Sequence, residues 1–166
     1  QIIEILAFAQ LDFAVLDAEH APFDRRDIDL MMLASRASGL PVAVRVPNAE
    51  PATLLSVLDL GTAGIVVPHV DTAEQAQAIV AHARYRGGLR GFSSSPRSSG
   101  YGSYSMKSAL AEGDRAMVLC QIESACAVEA CEAIAKVDGV DAVFIGRAEL
   151  ALPLGFDSTP AQAVDQ

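Results

Sequence analysis

Acidic and imidazole side chains stand just past the ends of three short apolar segments. Glu123 closes Val118-Leu-Cys-Gln-Ile-Glu, Glu149 follows Val143-Phe-Ile-Gly-Arg-Ala, and Asp17-Ala-Glu-His20 follows Phe13-Ala-Val-Leu. In α/β folds the C-terminal strand ends and the loops after them open on one crevice, so groups delivered there converge. Gln121 and Glu123 share a pleat parity and point the same way. An inward Gln and Glu at a strand terminus is a costly arrangement unless a ligand satisfies them. Glu149 comes where the next strand leaves the sheet, at Gly146. Two carboxylates with open positions make a hard, oxygen-rich site, suited to Mg²⁺, Mn²⁺ or Co²⁺ and unlike a His/Cys-rich zinc site.

Two further groups have a chemical reading and a plainer one. Asp17 and His20 lie three residues apart. An Asp that accepts from one imidazole nitrogen fixes the tautomer and leaves the other nitrogen as a base. The plainer reading is Asp17 as a helix cap with His20 incidental. Arg45 lies in the otherwise apolar Val44-Arg-Val-Pro47. A charged residue inside a strand needs an anionic partner, either a substrate or a salt bridge to Glu19 or Asp17.

The elements that must position these groups alternate regularly. Apolar, β-branched runs predict strands at Phe13–Asp17, Val42–Val46, Gly64–Pro68, Met117–Ile122 and Ala142–Ile145. Helical periodicity predicts Ile2–Ala9, Arg25–Ser38, Glu50–Leu60, Ala73–Ala83, Ser108–Gly113 and Cys126–Lys136. Gly39 then Pro41 end one helix, Gly61 caps another, and Asp71-Thr-Ala-Glu74 reads as an N-cap with its third-position acid. Such alternation implies a parallel sheet with right-handed crossovers. The interval between residues 68 and 117 is longer than one βα unit. It holds the Gly-, Ser- and Arg-rich stretch from Arg84 to Ser103, and a loop of that length is more often functional than decorative. Its glycines, Gly87-Gly88 and Gly100-Tyr-Gly102, lack the spacing of a phosphate-binding loop.

Composition narrows the partners. A net charge of −9 argues against nucleic-acid or anionic-membrane surfaces. An anionic substrate would need a local positive pocket, for which Arg45, Arg90 and Arg97 are the candidates. Apolar residues make up 51% of the 166-residue chain, which fits strands buried on both faces and subunit interfaces. No apolar run reaches the ~18–20 residues that span a bilayer. Glu4 breaks the apolar start and no basic segment precedes it, so the first helix reads as amphipathic. Cys120, Cys126 and Cys131 lack CxxC spacing and read as buried thiols in a reducing cytoplasm.

These stretches, taken together and in order, resemble the HpcH/HpaI aldolase family, metal-dependent class II aldolases acting on 2-oxo acids. The matching segments are Leu16–Pro22, Val44–Pro47, Leu58–Val70, Arg84-Tyr-Arg with Arg90-Gly91, Gln121-Ile-Glu123 and Gly139–Leu150. The resemblance implies a (β/α)8 TIM barrel of the phosphoenolpyruvate/pyruvate type. Five strands are about five of eight, and that barrel takes about 250 residues. Residues 1–166 then form one partial barrel domain of a longer protein, and Asp157–Gln166 looks like a helix beginning. The other arrangement open to five such strands is a doubly wound sheet.

The resemblance also implies roles. Glu123 and Glu149 would hold the divalent metal, which would chelate pyruvate and act as a Lewis acid as its enolate forms. Arg45 would bind the keto or enolate oxygen. His20, oriented by Asp17, would move the proton of the aldol hydroxyl. Gln121 would help hold substrate, and backbone amides from Gly146 to Ala148 would receive its carboxylate. The implied reaction splits a 4-hydroxy-2-oxo acid into pyruvate and an aldehyde, in a cytoplasmic homo-oligomer, trimeric or hexameric. Two departures stand out: Gly146-Arg-Ala-Glu149 replaces the family's Gly-Pro-Ala-Asp, and the Ser93–Gly102 loop is unusually serine-rich. They leave two alternatives: a related C–C lyase of the citrate lyase β-subunit or malyl-CoA lyase type, and a silent barrel that only binds a small carboxylate.

Overall fold

The computed structural model describes residues 1–151. The helix expected from Asp157 lies outside them. Five strands, β1 (Ala14–Asp17), β2 (Val42–Arg45), β3 (Gly64–Val67), β4 (Met117–Ile122) and β5 (Ala142–Ile145), form one parallel sheet in the order β1-β2-β3-β4-β5. That order decides between the two topologies. A doubly wound sheet reverses direction at a switch point. Here every step goes the same way, and right-handed crossovers then put all connecting helices on one face. The sheet is an arc of a barrel.

Seven helices alternate with the strands: α1 (Ile2–Phe8), α2 (Arg25–Ser38), α3 (Pro51–Asp59), α4 (Ala73–Ala83), α5 (Met106–Gly113), α6 (Ala125–Ala135) and α7 (Arg147–Ala151). A 3-10 helix, Arg97–Gly102, lies in the long loop before α5. Local chemistry sets many boundaries. Asp24 and Asp27 form a capping box that starts α2, and Gly39, at φ 75°, ends it. The box at α4 is one residue later than the sequence suggests: Thr72 caps and Gln75 reaches back. Asp71 instead accepts from the Ser124 hydroxyl, and Ser124 in turn caps α6.

The pleat sorts side chains between two environments. Val42, Val44 and Val46, Ile65 and Val67, and Val118, Cys120 and Ile122 join the buried core with residues of the helices, including Leu54, Leu58, Ile79 and Ile134. Alternate residues Arg45, Val66, Gln121 and Glu123 therefore face the barrel interior. All three cysteines are free, but only Cys120 is buried as expected; Cys126 is exposed and Cys131 half-buried. Burial pushes the Cys120 thiol up to about 11, so it is an inert core residue at neutral pH. Among the described residues no helix is long and apolar enough to cross a membrane.

The Arg84–Ser103 loop does not bring its arginines to the strand-end residues; Arg90 and Arg97 line a separate cavity instead. Arg97 donates to the carbonyls of Asp29 and Leu60 and pairs with Asp29 at 2.8 Å. Arg90 stacks on Tyr85 and reaches Asp59 and the Gly113 carbonyl. Leu60 and Gly113 end helices that lead into strands, so both arginines lie toward the N-terminal end of the sheet. They pin the loop to the helix layer, and a buried guanidinium needs those partners. Arg45 alone of the three is at the other end.

Candidate active site

Strand register brings the first pair together. Asp17 ends β1 directly opposite Arg45, the last residue of β2. Its carboxylate accepts from Arg45 Nε at 2.9 Å and Nη2 at 2.6 Å, a two-point ion pair. Asp17 Oδ1 also accepts from the backbone N–H groups of Glu19 and His20, at 3.0 and 3.2 Å. Those bonds fold the chain into a turn beyond the strand. The Arg45 guanidinium, together with the turn amides, holds the Asp17 carboxyl down to about 2.

The expected Asp17–His20 dyad does not form through the side chains. Asp17 is fully used by Arg45 and the turn backbone, and the His20 imidazole approaches other acids. Its Nε2 lies 3.6 Å from Glu149 Oε1 and 3.7 Å from Glu19 Oε2. Glu19 is the hub that the sequence reading named only as a possible salt-bridge partner. Its side chain is 9% exposed and is 3.5 Å from Arg45 and 3.6 Å from His69. Oε2 is buried without a hydrogen bond.

Glu123 follows β4 and sits deeper. Gln121, fully buried, donates to Glu123 Oε2, as the shared pleat parity requires. The Gln121 carbonyl oxygen is buried without a partner. Glu123 Oε1 accepts from the backbone N–H of His69 at 2.6 Å, and the ring Nδ1 lies at the same distance as an ion-pair contact. His69 is a site residue that the sequence reading missed. The signal was its position two residues past β3, another strand-end imidazole.

Gly146 separates the two candidate ligand carboxylates. A Cβ there would stand 2.9 Å from Glu123 Cβ and 3.2 Å from Oε2 of both Glu123 and Glu149. Both oxygens thus converge beside Gly146, where any side chain would collide with Glu123. Gly146 does not offer its amide to a substrate, because that N–H donates to Ile122 O at 2.9 Å and extends the β4–β5 ladder. Ala148 lies in the first turn of α7, whose amides have no partner within the helix. Asp17, His20, Arg45, Gln121, Glu123, Gly146, Ala148 and Glu149 therefore collect at one end of the sheet, joined by Glu19 and His69. Among the described residues no three acidic, His or Cys side chains are arranged as a metal cluster.

The Asp17–Arg45 pair has a pH consequence. Asp17 is depressed from its ordinary 3.8, so it stabilises the fold above that value and the contribution fades as pH falls toward 2. Asp17 is about a third exposed, so solvent screening leaves a contribution of roughly 1 kcal/mol. Asp17→Asn is expected to lower stability at neutral pH and to flatten its decline between about pH 4 and 2. Urea midpoints measured across that range check it; parallel curves for both proteins would contradict the assignment.

Comparison with known proteins agrees with this architecture. The chain matches the HpcH/HpaI aldolase/citrate lyase domain over residues 1–163. It is 43% identical over 161 residues to the 4-hydroxy-2-oxovalerate aldolase of Rhodococcus jostii, covering 95% of this chain and 61% of that protein. It is 42% identical to the 5-keto-4-deoxy-D-glucarate aldolase of Klebsiella pneumoniae, covering 92% and 59%. It superposes with a TM-score of 0.88 on an HpcH/Hpal aldolase/citrate lyase family protein from Burkholderia cenocepacia. That pair is 34% identical and covers 96% of this chain and 64% of the other. The chain thus spans about three fifths of the length of the curated relatives it matches, and its five strands are part of an α/β barrel. On sequence and on fold together, the chain belongs to the HpcH/HpaI aldolase/citrate lyase family.

Proposed function

We propose that the protein is a metal-dependent class II aldolase that reversibly cleaves a 4-hydroxy-2-oxo acid into pyruvate and an aldehyde. The observation that carries this reading is the convergence of one oxygen each of Glu123 and Glu149 on Gly146, which has no side chain to keep them apart. Family membership supports the reaction class, and the two relatives above bear the names of aldolases.

The residues fit a divalent cation. Four carboxylates (Asp17, Glu19, Glu123 and Glu149) outnumber the guanidiniums of Arg45 and Arg147 at this end of the sheet. The unpartnered Gln121 oxygen adds another hard acceptor beside them. Glu123 and Glu149 would hold the ion, and two carboxylates leave positions for a chelating substrate. Bound there, it would supply Lewis-acid polarisation of a 2-oxo acid carbonyl. Mg²⁺, Mn²⁺ and Co²⁺ all suit the donor set.

The chain's own residues do the rest. In the cleavage direction the C4 hydroxyl loses its proton and the C3–C4 bond breaks to give the aldehyde. The electron pair moves through C3 to the C2 oxygen, giving the pyruvate enolate. His20, between Glu19 and Glu149, takes the hydroxyl proton. Arg45, locked by Asp17, presents fixed positive charge to the C2 oxygen as it becomes negative. Protonation at C3 then yields pyruvate. Gln121 and the first-turn amides around Ala148 hold the substrate's polar end. The intact protein works in the cytoplasm as a homo-oligomer. Exposed Ile2, Ile5, Phe8, Phe144 and Ile145 supply apolar surface for contacts beyond this chain segment.

Titrating Mn²⁺ into the intact protein with and without pyruvate tests the reading. Each ligand is expected to tighten the other, because both would occupy one site. Independent binding would contradict it and favour a silent barrel.

A further inference from the structure

His69 carries three features that its loop position does not require. Its backbone is left-handed, φ 57°, an uncommon conformation for any residue but glycine. Its backbone N–H donates to Glu123 Oε1 at 2.6 Å, and its ring Nδ1 makes an ion-pair contact with the same atom at 2.6 Å. The other face of the ring turns to a second acid: Nε2 is 3.6 Å from Glu19 Oε1. Glu19 and Glu123 are nearly buried, at 9% and 3% side-chain exposure, whereas the His69 ring is 68% exposed. An exposed imidazole thus bridges two buried carboxylates. His20 reaches Glu19 from the far side at 3.7 Å, so the bridge links the expected metal ligand to the expected proton carrier.

We infer that His69 is a positioning residue, a clamp that fixes one oxygen of Glu123 and leaves the other to the cation. The inference rests on the metal-site reading above. A carboxylate with both oxygens free can rotate and bind a cation in several ways. Here Oε1 takes the His69 N–H and lies against its ring Nδ1, while Oε2 faces Gln121 and Gly146. Only one presentation remains. Such outer partners fix ligand orientation, and their loss typically costs about 10–100-fold in metal affinity.

Two substitutions separate the ring from the backbone. His69→Gly keeps the left-handed φ and the backbone donor and removes the ring. His69→Asn tolerates that φ and places an amide N–H close to where Nδ1 stands. Mn²⁺ affinity, read by electron paramagnetic resonance on the intact protein, is expected to fall about tenfold in His69→Gly. It should recover most of the way in His69→Asn, with melting temperatures of all forms close together. Glu123→Gln serves as the reference for the metal site itself. Unchanged affinity in His69→Gly, with affinity lost in Glu123→Gln, would overturn the clamp and leave the metal site standing. Equal loss in the Gly and Asn variants would also overturn it, because the ring would not be acting as a donor. No Mn²⁺ binding by the wild-type protein would overturn the metal reading and the clamp with it.

Discussion

Glu123→Gln is expected to lower metal-dependent turnover by at least about a thousand-fold, since a Lewis-acid contribution of roughly 4 kcal/mol corresponds to that factor. The fold should survive. The new amide's oxygen can accept from the His69 N–H, as Glu123 Oε1 now does. Its NH₂ would meet the Gln121 NH₂, but a flip of Gln121 presents that residue's unpartnered oxygen instead. The flip leaves the Gln121 NH₂ where its oxygen now has no partner, so the variant loses the charge and also about 1–3 kcal/mol of stability. Turnover with saturating Mn²⁺, alongside the melting temperature, checks this. A folded variant that keeps turnover would remove Glu123 from the metal site.

Arg45→Ala carries the second large effect, about 10²–10³-fold in kcat, the usual loss of one donor to a developing oxyanion. Arg45→Lys should restore only part of it. Lysine keeps the charge but cannot make the Nε and Nη2 pair with Asp17, so the cation is no longer held in one place. Separate measurement of kcat and KM distinguishes this from a purely structural role. A structural salt bridge would lower stability and leave kcat near wild type. A drop in kcat that lysine partly rescues is the signature of charge presented to the reaction.

Much of the frame was legible because its determinants are local. The runs at Met117–Ile122 and Ala142–Ile145, and the helices Arg25–Ser38 and Ala73–Ala83, have the predicted bounds, since periodicity and caps lie in neighbouring residues. The 3-10 helix at Arg97–Gly102 was not legible. Gly100 and Tyr101 adopt left-handed angles there, held by an arginine whose partners are Asp29 and Leu60. α7 was missed because its first residues follow Gly146 directly.

The site divided in the same way. Gln121 and Glu123 could be paired from pleat parity alone. The spacing of Asp17 and His20 suggested a local dyad, yet sheet register sets Asp17 against Arg45 across 28 positions of sequence. Once that pair forms, His20 turns to Glu19 and Glu149. Arg90 and Arg97 show the same limit, because which end of the sheet a loop arginine reaches depends on the helix it packs against. His69 donates to Glu123 from a left-handed backbone, and no residue-type pattern announces that.

Pyruvate release from a 4-hydroxy-2-oxo acid by the intact protein, with Mg²⁺ or Mn²⁺ and again after EDTA, tests the account most directly. The account predicts release that EDTA abolishes and added metal restores. Release that persists unchanged through exhaustive chelation, or none from any 4-hydroxy-2-oxo acid while a malyl- or citramalyl-CoA thioester is cleaved, would contradict it.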